Sequence, residues 1–321
     1  MADLMSGPNA PLTRAFLFCG WRCITIDWLI NPQHDLAHPE FQQELHEMLQ
    51  QADCICAALD CSTKSRAREI PRKFEDGRPA PKPLRSDEHP TGLPHLRGSD
   101  LRRVTKDNQA CDFVLQEIQE LADRGGVSLR ENPARSLHWE LPREKQMLAS
   151  GDWQDTCYAA CCFMGARCKQ QRLRHNIQEI SQWPPLQCHH QHDPDEWKPY
   201  TLDGQRVFPS HEEAEYTAPL AFAIAVSTSW WAVRVGRAKL RVPRMPPTEA
   251  VGRREHWLHY DPRSMRSWAM TPLAIQLGLR PVDPRERARV PRVRRVVDLL
   301  VDGKLPSKCI YVGRGHHSHK L

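Results

Sequence analysis

Short apolar runs that alternate with helical patterns constrain the fold of this 321-residue chain more than any other feature. Residues 15–18, 23–27 and 54–59 have the length and composition of buried strands. Apolar residues recur at helical spacing over residues 39–49, and residues 103–124 predict a second helix. Strands that alternate with helices are typical of a mostly parallel sheet with helices on both faces. The sequence therefore predicts an α/β fold.

A residue suited to ligand binding or catalysis follows each predicted strand. Gly20 and Asp27 follow the first two strands, Cys61 follows the third, and Glu131 follows a short strand at residues 127–129. Because ligands of parallel sheets bind at the carboxyl ends of the strands, these residues are expected to share one edge of the sheet.

The rest of the chain predicts one domain with a long loop and an extension. Residues 64–103 are polar and proline-rich, which indicates an active-site loop or lid. A buried helix over residues 212–235 ends the α/β domain, which is expected to span residues 1–235. Residues 236–321 form an irregular, basic extension, and its end has the pattern of a truncated module. Between the proline-rich loop and the buried helix, the sequence predicts a strand at residues 157–162, a basic turn at residues 165–176 and irregular structure at residues 177–200.

The net charge of +6 is unevenly distributed. Residues 234–321 carry 20 Lys and Arg against 7 Asp and Glu, whereas the preceding residues carry 25 against 32. A basic tail on an acidic body predicts a polyanionic partner such as nucleic acid. The alternative is a solvated, arginine-rich extension without a partner.

Two further properties bear on the protein class. No run of eighteen apolar residues exists, so the sequence predicts no membrane span, and the N-terminus lacks the basic region of a secretory signal. The twelve cysteines have no regular spacing, which favours reduced thiols in the nucleus or cytoplasm over a disulfide framework.

Five short blocks in a fixed order carry a family resemblance. They are Phe18-Cys19-Gly20, Asp27, Asp60-Cys61-Ser62-Thr63, Glu131-Asn132-Pro133 and Gln170-Gln171-Arg172-Leu173-Arg174. Over residues 15–235 the chain resembles the cytosine-5 DNA methyltransferases, in a divergent, mobile-element-like form. The resemblance implies a Rossmann-like domain that takes a methyl group from S-adenosylmethionine and transfers it to carbon 5 of cytosine in DNA.

The resemblance also implies catalytic roles. Cys61 is the expected nucleophile, whose thiolate adds to the ring carbon beside carbon 5. Glu131 is the expected general acid at the ring nitrogen, and Arg172 and Arg174 form a basic clamp for a base oxygen or a phosphate. The alternatives are an inert buried cysteine, an Asn-Pro turn and an exposed basic turn. Asp60 stands where the family has proline, and its charge would raise the thiol pKa.

The cofactor residues that the resemblance implies are Phe18 and Gly20 in a turn, Asp27 on the ribose hydroxyls and Asp35 on the adenine amine. The segment from Gly20 to Asp27 is too short for a helical crossover, so the sequence predicts that the first helix of the cofactor domain is missing. Two other functions therefore stay open: a non-catalytic nucleic-acid-binding remnant, and methylation of RNA or a free nucleotide.

The segment Cys188-His189-His190-Gln191-His192 has the residue types of a zinc site. Cys157, Cys161, Cys162 and Cys168 are its possible distant partners, but the spacing matches no standard zinc finger. The alternative is a solvated polar loop. The sequence therefore assigns no metal site and leaves Cys188, His190 and His192 open.

Overall fold

A computed structural model describes residues 1–238 apart from 72–76, 78–79, 185, 189–190 and 203–204. The predicted basic extension lies outside the described residues from position 239 onward. A six-stranded sheet forms the centre, in the order β2-β1-β3-β4-β6-β5. Its strands are β1 Ala2–Leu4, β2 Ile24–Ile26, β3 Cys54–Ala57, β4 Val127–Pro133, β5 Gln154–Ala159 and β6 Gln170–His175. A separate hairpin joins β7 Tyr200–Leu202 to β8 Gln205–Val207.

The sheet is mostly parallel. Strands β1 to β4 pair in parallel, and β6 runs antiparallel to both of its neighbours, β4 and β5. The chain passes from β1 to β2 on one side and then to β3 on the other side of β1. This reversal creates a switch point between the carboxyl ends of β1 and β3, which is where open α/β sheets bind ligands.

Helices cover both faces of the sheet. They are α1 Pro11–Phe18, α2 Pro39–Leu49, α3 Gly98–Asp123, α4 Pro142–Ala149, α5 Gln178–Ser181, α6 Pro209–Glu212 and α7 Ala218–Arg234. Side chains of α1, α5 and α7 form one apolar core with alternate residues of β3 and β4. Side chains of α2, α3 and α4 form a second core with β1, β2 and the other residues of β3. The predicted α/β architecture is confirmed for the described residues. None of their helices has both the length and the apolar character that crossing a bilayer requires.

The predicted first strand is wrong, because residues 15–18 belong to α1. Pro11 occupies the first turn of this helix, where its fixed φ and missing N–H are tolerated. Leu12, Ala15 and Phe16 are buried and follow helical spacing, but a short apolar run alone does not distinguish a buried helix from a strand. The true first strand is Ala2–Leu4, whose central residue is the buried acid Asp3.

The predicted loss of the first helix is also wrong. The crossover from β1 to β2 runs from Met5 to Cys23 and contains α1. This length satisfies the requirement for a parallel connection. The segment after Gly20 is short because the apolar run before it is this crossover helix and not the first strand.

The second half of the domain contains more strand than predicted. The segment expected as a basic turn contains β6, and the strand expected at 157–162 is β5, which ends at Ala159. Strand β4 extends through Pro133, so Glu131 lies inside the strand and not after it. The second strand and α2 match their predicted positions within one residue, whereas α3 begins five residues earlier and α7 six residues later than predicted.

Candidate functional site

The loop between β1 and α1 lies at the switch point of the sheet. Gly7 adopts a left-handed φ of 73°, and its N–H donates to Oδ2 of Asp27 at 2.8 Å. The other carboxylate oxygen of Asp27 accepts from the N–H of Leu29 at 2.7 Å. Asp27 follows β2 and is only 5% exposed. This acid therefore joins the loop after β1 to the loop after β2.

An exposed apolar patch adjoins Asp27. Trp28, Leu29 and Ile30 are 60%, 55% and 47% exposed, although all three are large apolar side chains. Consecutive exposed apolar residues at the carboxyl edge of a parallel sheet are suited to stack against a planar ligand. Sequence reasoning missed this patch, although the run Trp-Leu-Ile directly after the acid was visible.

Phe18 and Gly20, the predicted cofactor turn, lie at the opposite edge of the sheet. The N-terminal amine of Met1, just before β1, donates to the carbonyl of Arg22 at 2.6 Å, so this turn borders the start of β1. The ring of Phe18 packs edge-on against Phe222 of α7 at 5.6 Å. Helix α1 has carried the chain back across the sheet, which separates both residues from Asp27.

Asp35 lines a separate cleft of about 470 Å³ between the loop after β2 and α3. Its Oδ2 lies 2.7 Å from Nζ of Lys106. Partial burial raises the pKa of Asp35, but the hydrogen bond and charge of Lys106 outweigh it and lower the pKa overall. Asp35 is therefore an ion-paired carboxylate at the rim of this cleft.

Cys61 follows β3 at the carboxyl edge. The side chain of Asn132 on β4 donates to the carbonyl of Leu59 at 2.7 Å, which fixes the start of this loop. Burial raises the pKa of the Cys61 thiol; the charge of Lys169 opposes this rise, whereas Asp60 and Glu131 add to it. The raised pKa keeps the thiol mostly protonated at neutral pH in the protein alone; Asp60 adds to the rise, as predicted, but burial is its main cause.

Glu131 lies on the neighbouring strand and acts electrostatically on Cys61. It is 8% exposed, and burial raises its pKa to about 7, with Lys169 acting in the opposite direction. Its Oε1 is buried without a hydrogen-bond partner among the described residues, as are Oε1 of Gln171 and the hydroxyl of Tyr216. The raised pKa of Tyr216 includes a contribution from Glu131, so the two side chains are neighbours. Buried polar atoms without partners are rare, and strain, a catalytic role, a bound water or an ion accounts for them in proteins.

Lys169 is the cation of this site that sequence reasoning missed. Its Nζ donates to the carbonyl of Glu213 at 3.0 Å, and its charge acts on both Cys61 and Glu131. It lies immediately before β6, beside the predicted basic clamp. Nothing in the local sequence distinguished it from the arginines that follow.

The predicted clamp residues lie on the other face of the sheet. Glu131 pairs with Leu173, whereas Asn132 pairs with Arg172 and Arg130 with Arg174. Since directly paired residues point to the same face and successive residues alternate, both arginines lie on the face opposite Glu131.

Each arginine has acidic partners there. Arg174 binds Asp155 at 2.7 Å and Glu144 at 3.0 Å, and Arg172 lies 3.1 Å from Asp155. The geometry therefore brings Cys61 and Glu131 together with Lys169, and holds Arg172 and Arg174 in ion pairs elsewhere.

Comparisons with known proteins add no family name. No protein-family model, curated protein or solved structure matches the chain. The function is therefore inferred from the positions and chemistry of the chain's own residues.

Proposed function

We propose that the chain is an S-adenosylmethionine-dependent methyltransferase that acts on carbon 5 of cytosine in DNA through a thiolate adduct. The observation that carries this proposal is the pair Cys61 and Glu131. A thiol and a carboxyl with a pKa of about 7 lie at the carboxyl ends of adjacent parallel strands, beside buried polar atoms that have no hydrogen-bond partner within the described part of the chain.

The chemistry of this pair suits a pyrimidine. The thiolate of Cys61 adds to carbon 6, and the resulting negative charge is relieved when protonated Glu131 donates to ring nitrogen 3. A carboxyl with a pKa of about 7 retains this proton near neutral pH. Carbon 5 then has carbanion character and would take the methyl group from the cofactor's sulfonium, whose carbon–sulfur bond would break to release a neutral thioether. Removal of the proton from carbon 5 lets the Cys61 thiolate leave and restores the aromatic ring.

The residues near Asp27 fit an adenosyl group. Each oxygen of Asp27 accepts one backbone hydrogen bond, and a carboxylate has about four acceptor positions, so capacity remains for ribose hydroxyls. Trp28 offers an exposed ring beside this acid. The bound cofactor supplies an electrophilic methyl group on its sulfonium. The loop of Gly7 takes the role that was expected of Phe18 and Gly20.

Calorimetry with S-adenosylmethionine tests the cofactor site. Saturable binding is expected, with at least about fivefold weaker affinity in Trp28→Ala, since stacking on an aromatic side chain contributes on the order of 1–3 kcal/mol. Trp230→Ala is the matched control, because Trp230 is also exposed but lies on α7. Asp27→Ala is expected to abolish binding, and its thermal unfolding shows whether the loop contacts survive. Equal binding by wild type and Trp28→Ala would contradict this assignment.

Methyl transfer to duplex DNA tests the catalytic pair. Cys61→Ser is expected to abolish transfer and the covalent adduct with DNA that contains 5-fluorocytosine, whose fluorine cannot leave as a proton does. Cys157→Ser is the control, because Cys157 is an exposed free thiol on β5. An adduct that persists in Cys61→Ser would exclude this nucleophile. Parallel assays with RNA and free cytidine nucleotides distinguish the substrate class.

The raised pKa of Cys61 favours a second candidate function. A chain that keeps the sheet but cannot form the thiolate would be a non-catalytic nucleic-acid-binding remnant of such an enzyme. Binding of duplex DNA without S-adenosylmethionine binding or adduct formation would support this second function over the first.

A further inference from the structure

Four metal-binding side chains converge away from the Cys61 site. The thiols of Cys161, Cys168 and Cys188 and one ring nitrogen of His192 all lie within 4.8 Å of one another. They come from two segments that are distant in sequence, the connection from β5 to β6 and the segment after α5. None of these three cysteines is disulfide-bonded in the part of the chain that the structure describes, and all four residues are half-buried.

The first two ligands are brought together by a tight turn. Cys161 lies in the short 3₁₀-helix Ala160–Phe163, and Cys168 lies just before β6. Met164 ends this helix in the left-handed region, and the N–H of Gly165 donates back to the carbonyl of Ala160 at 2.9 Å. A Cβ at Gly165 would lie 2.9 Å from the backbone of Ala160, so only glycine fits there.

The other two ligands lie on the segment after α5. Leu186 forms an isolated bridge with Tyr158, which fixes the chain just before Cys188. His192 is followed by a 3₁₀-helix Pro194–Trp197, whose N-cap Asp193 accepts from the N–H of Asp195. Cys188 and His192 are four residues apart in sequence, and Sγ of Cys188 lies 3.1 Å from Nε2 of His192.

The two nitrogens of His192 have the environment of a zinc ligand. Nε2 faces the thiol of Cys188, and Nδ1 lies 3.5 Å from the carboxylate of Glu196. A metal-bound histidine usually directs its second nitrogen to a carboxylate or carbonyl, which fixes the ring. Arg167, which lies between Cys161 and Cys168, donates to the carbonyl of Glu196 at 2.9 Å. This bond connects the 3₁₀-helix that contains Glu196 to the turn that contains the first two ligands.

We propose that Cys161, Cys168, Cys188 and His192 bind a structural zinc ion. Three thiolates and one imidazole are a standard closed set for tetrahedral zinc. With Zn–S bonds of about 2.3 Å, the ligand atoms of a tetrahedron lie about 3.8 Å apart, which agrees with the observed cluster. The ion would fasten the connection before β6 to the segment after α5.

Zinc content and cobalt spectroscopy of the full chain test this site. Purified under reducing conditions, the protein is expected to contain one zinc per chain, and Co²⁺ is expected to give thiolate charge-transfer and tetrahedral ligand-field bands. Cys168→Ser and His192→Ala should lose the zinc and these bands. His192→Cys should keep the ion, because it restores four ligands. Cys157→Ser is the control, since its thiol belongs to β5 but not to the cluster.

The outcomes distinguish a zinc site from a disulfide and from a cluster of free thiols. The site is supported if His192→Ala loses the zinc ion and His192→Cys retains it. This comparison remains valid if His192→Ala does not fold, because His192→Cys changes the same position. Unchanged zinc content in Cys168→Ser and His192→Ala would overturn it and assign the metal to other residues. A wild-type protein that folds without zinc, or that forms a Cys161–Cys188 disulfide by mass spectrometry, would overturn it as well. None of these results depends on methyl transfer.

Discussion

At the scale of single residues, the protonation of Glu131 couples the proposed chemistry to stability. Burial raises its pKa from 4.5 to about 7, so the folded protein holds a proton that the unfolded chain has already lost between these values. Stability therefore falls as the pH rises through this window. A difference of one pKa unit corresponds to about 1.36 kcal/mol, so the free energy of unfolding falls by about 3 kcal/mol across the whole window.

Glu131→Gln is expected to remove this pH dependence. Relative to the variant, the wild type should lose about 3 kcal/mol of unfolding free energy between pH 4 and pH 8, because the amide carries no charge at either pH. Urea unfolding of both proteins across this range measures the difference. Asp3, whose pKa burial raises to about 6, contributes equally to both proteins and cancels. If the unfolding free energies of the wild type and Glu131→Gln changed with pH in the same way, Glu131 would be solvated in the folded state.

At the scale of elements, a buried charge network joins α4 to the sheet. Glu144 on α4 accepts from Arg130 on β4 at 2.8 Å, from Arg174 on β6 at 3.0 Å, and lies 2.9 Å from Nε2 of His138. Burial raises the pKa of Glu144, but the charges of Arg130 and His138 dominate and hold it well below its usual range. Its carboxylate is thus charged at all moderate pH values.

Glu144→Ala is expected to destabilise the protein by about 3–5 kcal/mol, because it leaves two arginines buried without their shared partner. Glu140→Ala is the control. Its pair with Lys145 at 2.7 Å is largely exposed and should contribute less than about 1 kcal/mol. Chemical unfolding measures both changes. A loss of similar size in the two variants would mean that the buried network contributes no more than the exposed pair.

A second buried network anchors the long loop after Cys61. Asp107 on α3 binds Nζ of Lys64 at 2.6 Å and Arg85 at 2.9 Å, and it accepts a hydrogen bond from Thr63. Both basic side chains are fully buried. The loop that sequence composition marked only as polar and proline-rich is therefore attached to α3 at its start, through Thr63 and Lys64, and again at Arg85.

Asp107→Asn is expected to loosen this loop. Amide hydrogen exchange over residues 62–71 and 80–97 should accelerate by at least about tenfold, since a tenfold change corresponds to about 1.4 kcal/mol of opening free energy. Asp112→Asn on the exposed side of α3 should leave exchange unchanged. If exchange in Asp107→Asn matched the wild type, other contacts would hold the loop.

The elements show where sequence reasoning succeeded and where it failed. Helices α2 and α3 were predictable because their apolar residues follow a single period over three turns or more. Strand β1 was not, because it has three residues and its centre is a charged side chain that accepts hydrogen bonds from Thr13 of α1. Strand β6 was not, because its arginines are neutralised by acids from β5 and α4. The positions of Asp27 and Cys61 after strands could be predicted, whereas Glu131 lies inside β4 and Lys169 required the folded geometry.

At the scale of the whole molecule, charge is divided between an acidic folded part and a basic extension. Residues 1–238 carry 27 Lys and Arg against 32 Asp and Glu, so this part should repel DNA at long range. The excess of arginine lies beyond the described residues. If the protein acts on DNA, most of the non-specific affinity must come from the extension.

The salt dependence of DNA binding tests this division. The full chain is expected to bind a duplex with a slope of log affinity against log salt near −0.9 for each neutralised phosphate, or about −4.5 for about five contacts. A chain that ends at residue 238 should bind at least about a hundredfold more weakly, since it loses these contacts. Fluorescence anisotropy at several salt concentrations measures both, and circular dichroism verifies that the shorter chain is folded. Equal slopes for the two chains would place the phosphate contacts on the α/β domain and leave the basic extension without this role.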